Sequence, residues 1–428
     1  MSFFLDVLYM AAGVLGSPYW LYKLARSGKL RTVLRGKFEL PPQRTTPAPA
    51  VWLHCASVGE VLLARGLIAG LARQSHDTIP LISCNTPTGC ETAKKHFEYC
   101  PRFYSPADFS GLVARAFRRL RPSMLVLMEL ELWPNLILGA HRRGVPVAIV
   151  NGRITERAAR RYRRIGPLIR WVLGKVDLFA MQSQEYADRL IDLGADRAKV
   201  HVTGSMKYDN LSTDQQPDAE LARTLGIDPA AEVIVGGCTY AGEDEPLIDI
   251  YRDVRRTHPA LRLILAPRHP ERFDAVEAAI GAAGLNCLRR SALGPDGPPS
   301  NAPADAVILI DKMGELERVY SLASVAFVGG SLIPRGGHNI MEPAGRGKAV
   351  LAGPHTGNFA EAVAGLLQVG GLIAVANTDE LRRQIQTLID DPQQARQVGD
   401  RARRAVIKAQ GATQRTIELL LALSTPRT

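Results

Sequence analysis

VWLHCASVGEVLLARGLIAGL (residues 51–71) joins a largely apolar run to an amphipathic one through the short turn Ser57-Val58-Gly59. The first six residues read as a strand buried on both faces, and Leu63, Leu67 and Leu71 then mark one face of a helix beginning near Glu60. A strand that passes through a tight turn into a helix is half of a crossover unit, so the stretch predicts a parallel sheet covered by helices. It also places Glu60 at a helix N-terminus beyond the carboxyl end of a strand, where ligands collect in such sheets. Two roles are open to a carboxylate there: complementing the helix macrodipole, or taking a proton from a substrate hydroxyl.

Outward from this unit the same alternation recurs. TIPLIS, SMLVLM, VPVAIV, DLFAMQ and VHVTG follow in the N-terminal half, and EVIVGG, LRLILAP, AVILID, SVAFVGG, KAVLAG and GLIAVA in the C-terminal half, with helical patterns between them. A chain of 428 residues exceeds what one hydrophobic core organises. The expected organisation is an N-terminal segment (1–39), a proline-rich linker (40–50), a first domain (51–205), a polar connector (206–218), and a second domain with terminal helices (219–428). GPDGPPSNAPA (294–304) reads as a surface loop inside the second domain. The expected fold class is α/β, two Rossmann-like doubly wound domains facing a central cleft.

Lys plus Arg number 53 against 42 for Asp plus Glu, a formal charge of +11 that attracts anionic partners without choosing among them. The six cysteines contain no C-x-x-C pair, which points to free thiols in a reducing compartment; no metal site is expected. FFLDVLYMAAGVLGSPYWLYKL (residues 3–24) approaches the roughly 20 apolar residues of a bilayer span but is interrupted by Asp6 and Pro18. The bases Lys23, Arg26, Lys29, Arg31, Arg35 and Lys37 follow it rather than precede it, the order of an uncleaved anchor with a cytoplasmic globular part. A buried N-terminal helix is the alternative.

Four further stretches carry chemistry. MELELW puts Glu129 at a strand end and Glu131 two residues on. FVGGSLIPRGGHNIMEPA runs from a strand into a glycine-rich loop that could cradle a phosphate, with Glu342 available to ribose hydroxyls; a capping box between Asn339 and Glu342 is the rival account. LAPRHPERF offers Arg268, His269 and Arg272, suited to phosphate or carboxylate, or to a solvated loop. Arg157, Arg160, Arg161, Arg163, Arg164 and Arg170 surround an amphipathic pattern that fits an anionic membrane or nucleic acid. No G-x-x-x-x-G-K-[ST], intact G-x-G-x-x-G or H-E-x-x-H is present, which removes the main support for nucleoside triphosphatase, simple dehydrogenase and zincin readings.

Taken in order, SVGE, ELELWPN, NGRI, GSMKYD, PRHPERF, DKMGEL, FVGGSL, GGHNIMEPA and GPHTGNF resemble the motifs of the 3-deoxy-D-manno-octulosonic acid (Kdo) transferase family over nearly the whole chain. The resemblance implies a GT-B glycosyltransferase fold and an inverting transfer of Kdo from CMP-Kdo to a lipid A precursor in lipopolysaccharide synthesis. It implies an acceptor-binding first domain and a CMP-Kdo-binding second domain, at the cytoplasmic face of the bacterial inner membrane. By the matched motifs Glu60 is the general base, and Ser57, Gly59, Glu129 and Arg153 bind or position the acceptor. Lys207, Arg268, His269, Met313, Gly314, Glu315, Gly336, Gly337, His338, Asn339 and Glu342 are placed at the donor. No metal or other cofactor and no nucleic acid are implied. Leu130, Ser205 and Tyr240 depart from the residues usual at their positions. Two rivals stay open on the residues alone: a nucleotide-sugar epimerase of the same fold, and a non-enzymatic protein binding an anionic membrane or nucleic acid.

Overall fold

The computed structural model describes residues 5–7, 9–11, 36–74, 78–295, 297–299 and 302–424. They form two compact units, Met1–Asn210 with Gln410–Thr428, and Leu211–Ala409.

In the first unit, β1 (Ala50–Cys55), β2 (Ile79–Cys84), β3 (Arg102–Tyr104), β4 (Met124–Met128), β5 (Val147–Gly152), β6 (Leu178–Met181) and β7 (Val200–Val202) make a parallel sheet in the order β3-β2-β1-β4-β5-β6-β7. Helices cover both faces, so every residue of β1 and β4 is buried and the near-continuous apolar runs are accounted for. Trp52 of β1 packs against Phe103 and Phe117, ring centroids 5.6 and 5.2 Å away, while its Nε1 donates to Ser83 Oγ at 2.8 Å.

The second unit repeats the plan with β8 (Val233–Thr239), β9 (Arg262–Pro267), β10 (Cys287–Arg289), β11 (Val307–Leu309), β12 (Val325–Val328), β13 (Ala349–Ala352) and β14 (Leu372–Ala374), in the order β10-β11-β9-β8-β12-β13-β14. β1 is third from one edge of the first sheet and β8 is the middle strand of the second. The order in which strands are added reverses beside each, between β1 and β4 and between β8 and β12, which makes two topological switch points. The apolar runs singled out in the sequence each contribute a strand. β3 and β10 were not foreseen, because three half-buried residues at the margin of a sheet carry too little pattern.

The C-terminal boundary differs from expectation. The last helix, Ala412–Ser424, packs on the first unit, not the second. Its Ile417 and Leu420 enter the core formed by Leu53, Val61 and Leu67, and Asp209 accepts from the amides of Gly411, Ala412 and Thr413 at 2.7, 3.2 and 2.5 Å. An apolar helix face goes where a complementary face is exposed, and a carboxylate at its N-terminus fixes the entry. Residues 211–218 of the presumed connector belong to the second unit, where Asp218 caps the Ala219–Leu225 helix and pairs with Arg318 at 2.6 Å. Most of the expected anchor, residues 1–39, lies outside the described residues; among those described, no helix is long and apolar enough to cross a membrane.

Candidate active site

At the first switch point β1 ends at Cys55 and the helix Val58–Gln74 begins, capped by the Ser57 hydroxyl 3.4 Å from the Glu60 amide. The Glu60 carboxylate turns back over this first turn: Oε1 accepts from Ser57 Oγ at 2.8 Å and Oε2 from the Ala56 amide at 2.7 Å. The geometry resembles a capping box, with the carboxylate bonded one residue ahead of Ser57, and Glu60 is 6 % exposed. Burial pushes its pKa up to about 7 against the pull of the two donors, and the nearby Glu129 and Glu131 carboxylates add to the rise. A helix N-terminus would by itself depress it; here desolvation wins. Ser57 and Gly59 are exposed, and a Cβ on Gly59 would meet only Ser57 Oγ, at 3.9 Å. The turn therefore has a solvent-open side on which a ligand hydroxyl can approach.

Glu129 follows β4 with φ 54° and Asn151, next to last in β5, has φ 54°, a left-handed conformation that costs free energy for non-glycine residues and concentrates at functional sites. Asn151 is fully buried; its Oδ1 accepts from the Met206 amide at 3.1 Å, which sets the short turn carrying Lys207. Lys207 Nζ lies 3.5 Å from Glu129 Oε1, so the structure places this expected donor ligand in the first unit, paired with an expected acceptor residue. Arg153 is exposed just after β5. Behind Glu60 runs a polar chain that the sequence reading missed: Ser83 Oγ to His54 Nδ1 at 2.9 Å, His54 Nε2 to Asn85 Nδ2 at 3.3 Å, and Asn85 Oδ1 to Lys37 Nζ. Burial lowers the His54 pKa to about 3 and keeps the ring neutral. A histidine inside a buried strand was the available signal.

The second switch point is built differently. Glu243, four residues past the end of β8, is fully buried, and its carboxylate accepts from the amides of Tyr240, Gly330, Ser331 and Leu332 at 3.1, 2.7, 3.1 and 3.0 Å. It staples the loop after β8 to the loop after β12. Gly329 permits that approach, since a Cβ there would lie 2.5 Å from the Cys238 carbonyl oxygen. Beside the staple, a cavity of about 330 Å3 opens at the carboxyl ends of β8, β9 and β11, with Cys238, Arg268, Lys312, Met313, Gly314, Glu317 and Glu342 in its lining. Four of these are expected donor residues; Lys312 and Glu317 are additions. Glu342 is held by Asn339 Nδ2 at 3.0 Å, and burial raises its pKa. The Asn339–Glu342 contact joins two side chains and does not form the capping box considered as a rival.

Other expected donor residues are engaged elsewhere. Glu315 pairs with Arg290 at 3.0 Å. The Gly337 amide donates to the Gly330 carbonyl at 2.8 Å, and the Asn358 amide to the Gly336 carbonyl at 2.9 Å. The glycines there serve close packing of two loops. His269 and His338 flank Tyr240, the ring of His338 stacked at 5.6 Å and that of His269 edge-on at 5.3 Å, with His338 Nε2 3.1 Å from the tyrosine oxygen. Arg272 is turned away to Asp244, 2.6 Å distant, and fixes the loop after β9.

The family model of 3-deoxy-D-manno-octulosonic-acid transferase (kdotransferase) matches residues 32–210. The chain is similar to 3-deoxy-D-manno-octulosonic acid transferase of Haemophilus influenzae, 33% identical with 92% of each chain covered. It is also similar to that of Bordetella pertussis, 31% identical with 94% of each covered. Among solved structures, UDP-GlcNAc 2-epimerase from Neisseria meningitidis shares the fold, with a TM-score of 0.58 and 15% identity, covering 87% of this chain and 100% of that one. Both sheets thus have the Rossmann-like plan of the GT-B class, which transferases and epimerases share, so the fold alone leaves the epimerase rival open and the sequence relatives decide it.

Proposed function

The chain belongs to the 3-deoxy-D-manno-octulosonic acid transferase family, and from that premise we propose that it moves Kdo from CMP-Kdo to a hydroxyl of a lipid A precursor, a tetraacyl disaccharide bisphosphate, with inversion at the anomeric carbon. The observation that carries the proposal is Glu60: a carboxylate at a strand end, buried, raised to about 7, and beside an open turn. A base with a pKa near the working pH takes a proton more effectively than an ordinary glutamate.

In the proposed step the acceptor oxygen attacks the anomeric carbon, the bond to the phosphate oxygen breaks, and CMP leaves with the electron pair. The hydroxyl proton passes to Glu60. Charge at the anomeric carbon develops as in other glycosyl transfers, through an oxocarbenium-like transition state. Ser57, Gly59, Glu129 and Arg153 are assigned to the acceptor in the first unit. The CMP phosphate is assigned to Arg268 and Lys312, the ribose to Glu342, and Met313 and Gly314 to the wall of the same cavity; His269, His338, Asn339, Gly336 and Gly337 shape its neighbouring loops. The step is written without metal or other cofactor.

The acceptor is lipid, so we place the protein at the cytoplasmic face of the bacterial inner membrane. The exposed Arg157, Arg160, Arg161, Arg163 and Arg164, with Ile165 49 % exposed among them, suit that surface. The test is to incubate wild type and Glu60→Gln, in detergent, with CMP-Kdo made in situ and tetraacyl lipid A precursor, and to weigh the lipid. Kdo mass increments with wild type alone are expected. An unchanged lipid with a wild-type protein that binds CMP overturns the acceptor, and transfer by the variant reduces Glu60 to a capping residue.

A further inference from the structure

β2 ends in a thiol, and the helix that follows brings a second one back to it. Cys84 is the last residue of β2 and is fully buried; Thr86 caps the helix Pro87–His96, and Cys90 is the fourth residue of that helix. Helical side chains lean toward the N-terminus of their own helix, which carries the Cys90 thiol back over the strand end. There it packs against the core cluster that contains Cys84, Cys55 and Val61. The Cys84 and Cys90 thiols share a hydrogen bond, and Cys90 Sγ shares a second with the Tyr104 hydroxyl at the end of β3.

A cavity of about 550 Å3 opens beside the pair, with Cys84, Cys90, Glu91, Lys94, Arg102 and Tyr104 in its wall. Cys55, the register partner of Cys84 on β1, is fully buried and is not part of that wall. Of the three neighbouring thiols, Cys90 is therefore the half-buried one that a small reagent in the cavity meets first. Its hydrogen bond from Cys84, with that from Tyr104 and the charges of Lys94 and Lys37, holds its pKa below the ordinary thiol value against the opposing effect of burial. The same hydrogen bond, together with burial, pushes Cys84 up. Two thiols packed in a core for their size alone need neither this asymmetry nor an adjoining cavity; a nucleophilic thiol with a resolving neighbour needs both.

The pair also touches the supports of the Glu60 turn. A Cβ on Gly89, the residue before Cys90, would lie 3.7 Å from the Ser57 carbonyl carbon and 3.7 Å from Cys84 Cβ, so the helix start is laid directly on that turn. Asn85, the residue after Cys84, holds His54 and Lys37. A covalent bond between the thiols draws on both supports.

We propose that Cys84 and Cys90 form a modification site for small hydroperoxides, closing to a disulfide that lowers transfer by displacing the turn that carries Ser57 and Glu60. The Cys90 thiolate attacks one peroxide oxygen, the O–O bond breaks, and hydroxide leaves; Cys90 is then a sulfenic acid. The Cys84 sulfur attacks the Cys90 sulfur, the S–O bond breaks, and the departing hydroxide leaves with the Cys84 proton as water. Two thiols are oxidised to one disulfide while one peroxide is reduced to two waters, and thiol exchange with a cellular dithiol reverses the change. Transient, sensing disulfides of this kind are the ones that a reducing compartment allows.

The test uses the full chain, purified in detergent with its thiols reduced. Exposure to hydrogen peroxide, followed by alkylation and peptide mass spectrometry, is expected to show a Cys84–Cys90 linkage before any change at Cys100, Cys238 or Cys287. Transfer to the dispersed acceptor is expected to fall several-fold and to return with dithiothreitol. Cys90→Ser is expected to transfer at the wild-type rate and to keep that rate through peroxide treatment. Cys84→Ala is expected to stop at the Cys90 sulfenic acid, trapped by dimedone; where that variant does not fold, Cys90→Ser decides alone. Peroxide that leaves Cys84 and Cys90 as free thiols, or links Cys84 to Cys55 instead, overturns the site. A linkage with unchanged transfer, or an equal loss of transfer in Cys90→Ser, overturns its hold on the turn. The mapping does not depend on the acceptor, so a reduced wild type that fails to transfer counts against the reaction proposed above and not against the thiol pair.

Discussion

The two switch points carry a glutamate in nearly the same place, Glu60 five residues past the end of β1 and Glu243 four residues past the end of β8. Each accepts from an amide just upstream, that of Ala56 at 2.7 Å and that of Tyr240 at 3.1 Å. Beyond that they diverge. Glu243 spends its carboxylate on three more amides from the loop after β12 and has no exposed surface, whereas Glu60 takes one hydroxyl and borders an open turn. A carboxylate surrounded by fixed donors is a staple; one with few donors in a desolvated place, with room beside it, is a base. Similar positions in a repeated fold thus hold a structural staple in one unit and the proposed base in the other, according to what the neighbouring strand end supplies.

The largest test of this contrast is Glu60→Gln. It should lower kcat by roughly 10²–10⁴-fold, the span of general-base catalysis, while CMP affinity measured by calorimetry stays at the wild-type value. Its stability should move the other way. Between pH 4.5 and about 7 the folded protein holds a proton on Glu60 that the unfolded chain has lost, so stability falls as pH rises through that window. The amide removes this dependence, and thermal denaturation at pH 8 should show the variant at least as stable as wild type; a marked loss would make Glu60 chiefly a cap.

Glu243→Gln should do the reverse. Its amide nitrogen cannot accept, so at least one of the four backbone donors is left buried without a partner, at a cost of about 1–3 kcal/mol. Thermal denaturation and CMP titration should both weaken, and a variant with unaltered melting and CMP affinity would break the staple reading.

The pH profile sharpens the comparison further. Wild-type kcat/KM should fall tenfold per unit below about pH 7, where an ordinary glutamate would place the limb near 4.5. Glu129 contributes to that rise by charge, so Glu129→Gln should move the limb to lower pH, by a few tenths of a unit if the pair is well screened; an unmoved limb would separate the two carboxylates. The smallest effect is expected for Tyr240→Phe, which removes one hydrogen bond to His338. At about 1 kcal/mol it should raise the donor KM by roughly fivefold or less, with kcat and the pH limb unchanged.

The fold was legible because buried parallel strands leave continuous apolar runs, and Leu63, Leu67 and Leu71 set the helix that follows β1. The three-residue β3 and β10 were invisible for want of length, and the return of Ala412–Ser424 to the first unit was invisible because an amphipathic pattern does not name its partner. Within the candidate site, Glu60, Arg268 and Glu342 were readable from strand-end position or motif. Glu243 was missed although it occupies the same kind of position, since only the folded loops reveal four amides converging on one carboxylate. Lys207 could not be paired with Glu129 from sequence, because the contact joins residues separated by three strands.

Sequence alone determined the class of fold and the two-unit plan, which follow from periodicity, while the base role proposed for Glu60 is what the resemblance of its motif implies. Only the tertiary structure decided the environment of that carboxylate. The pKa of Glu60 is the balance of burial, two donors and two nearby carboxylates that follow β4, quantities set by packing between segments some seventy residues apart in sequence and absent from any local pattern.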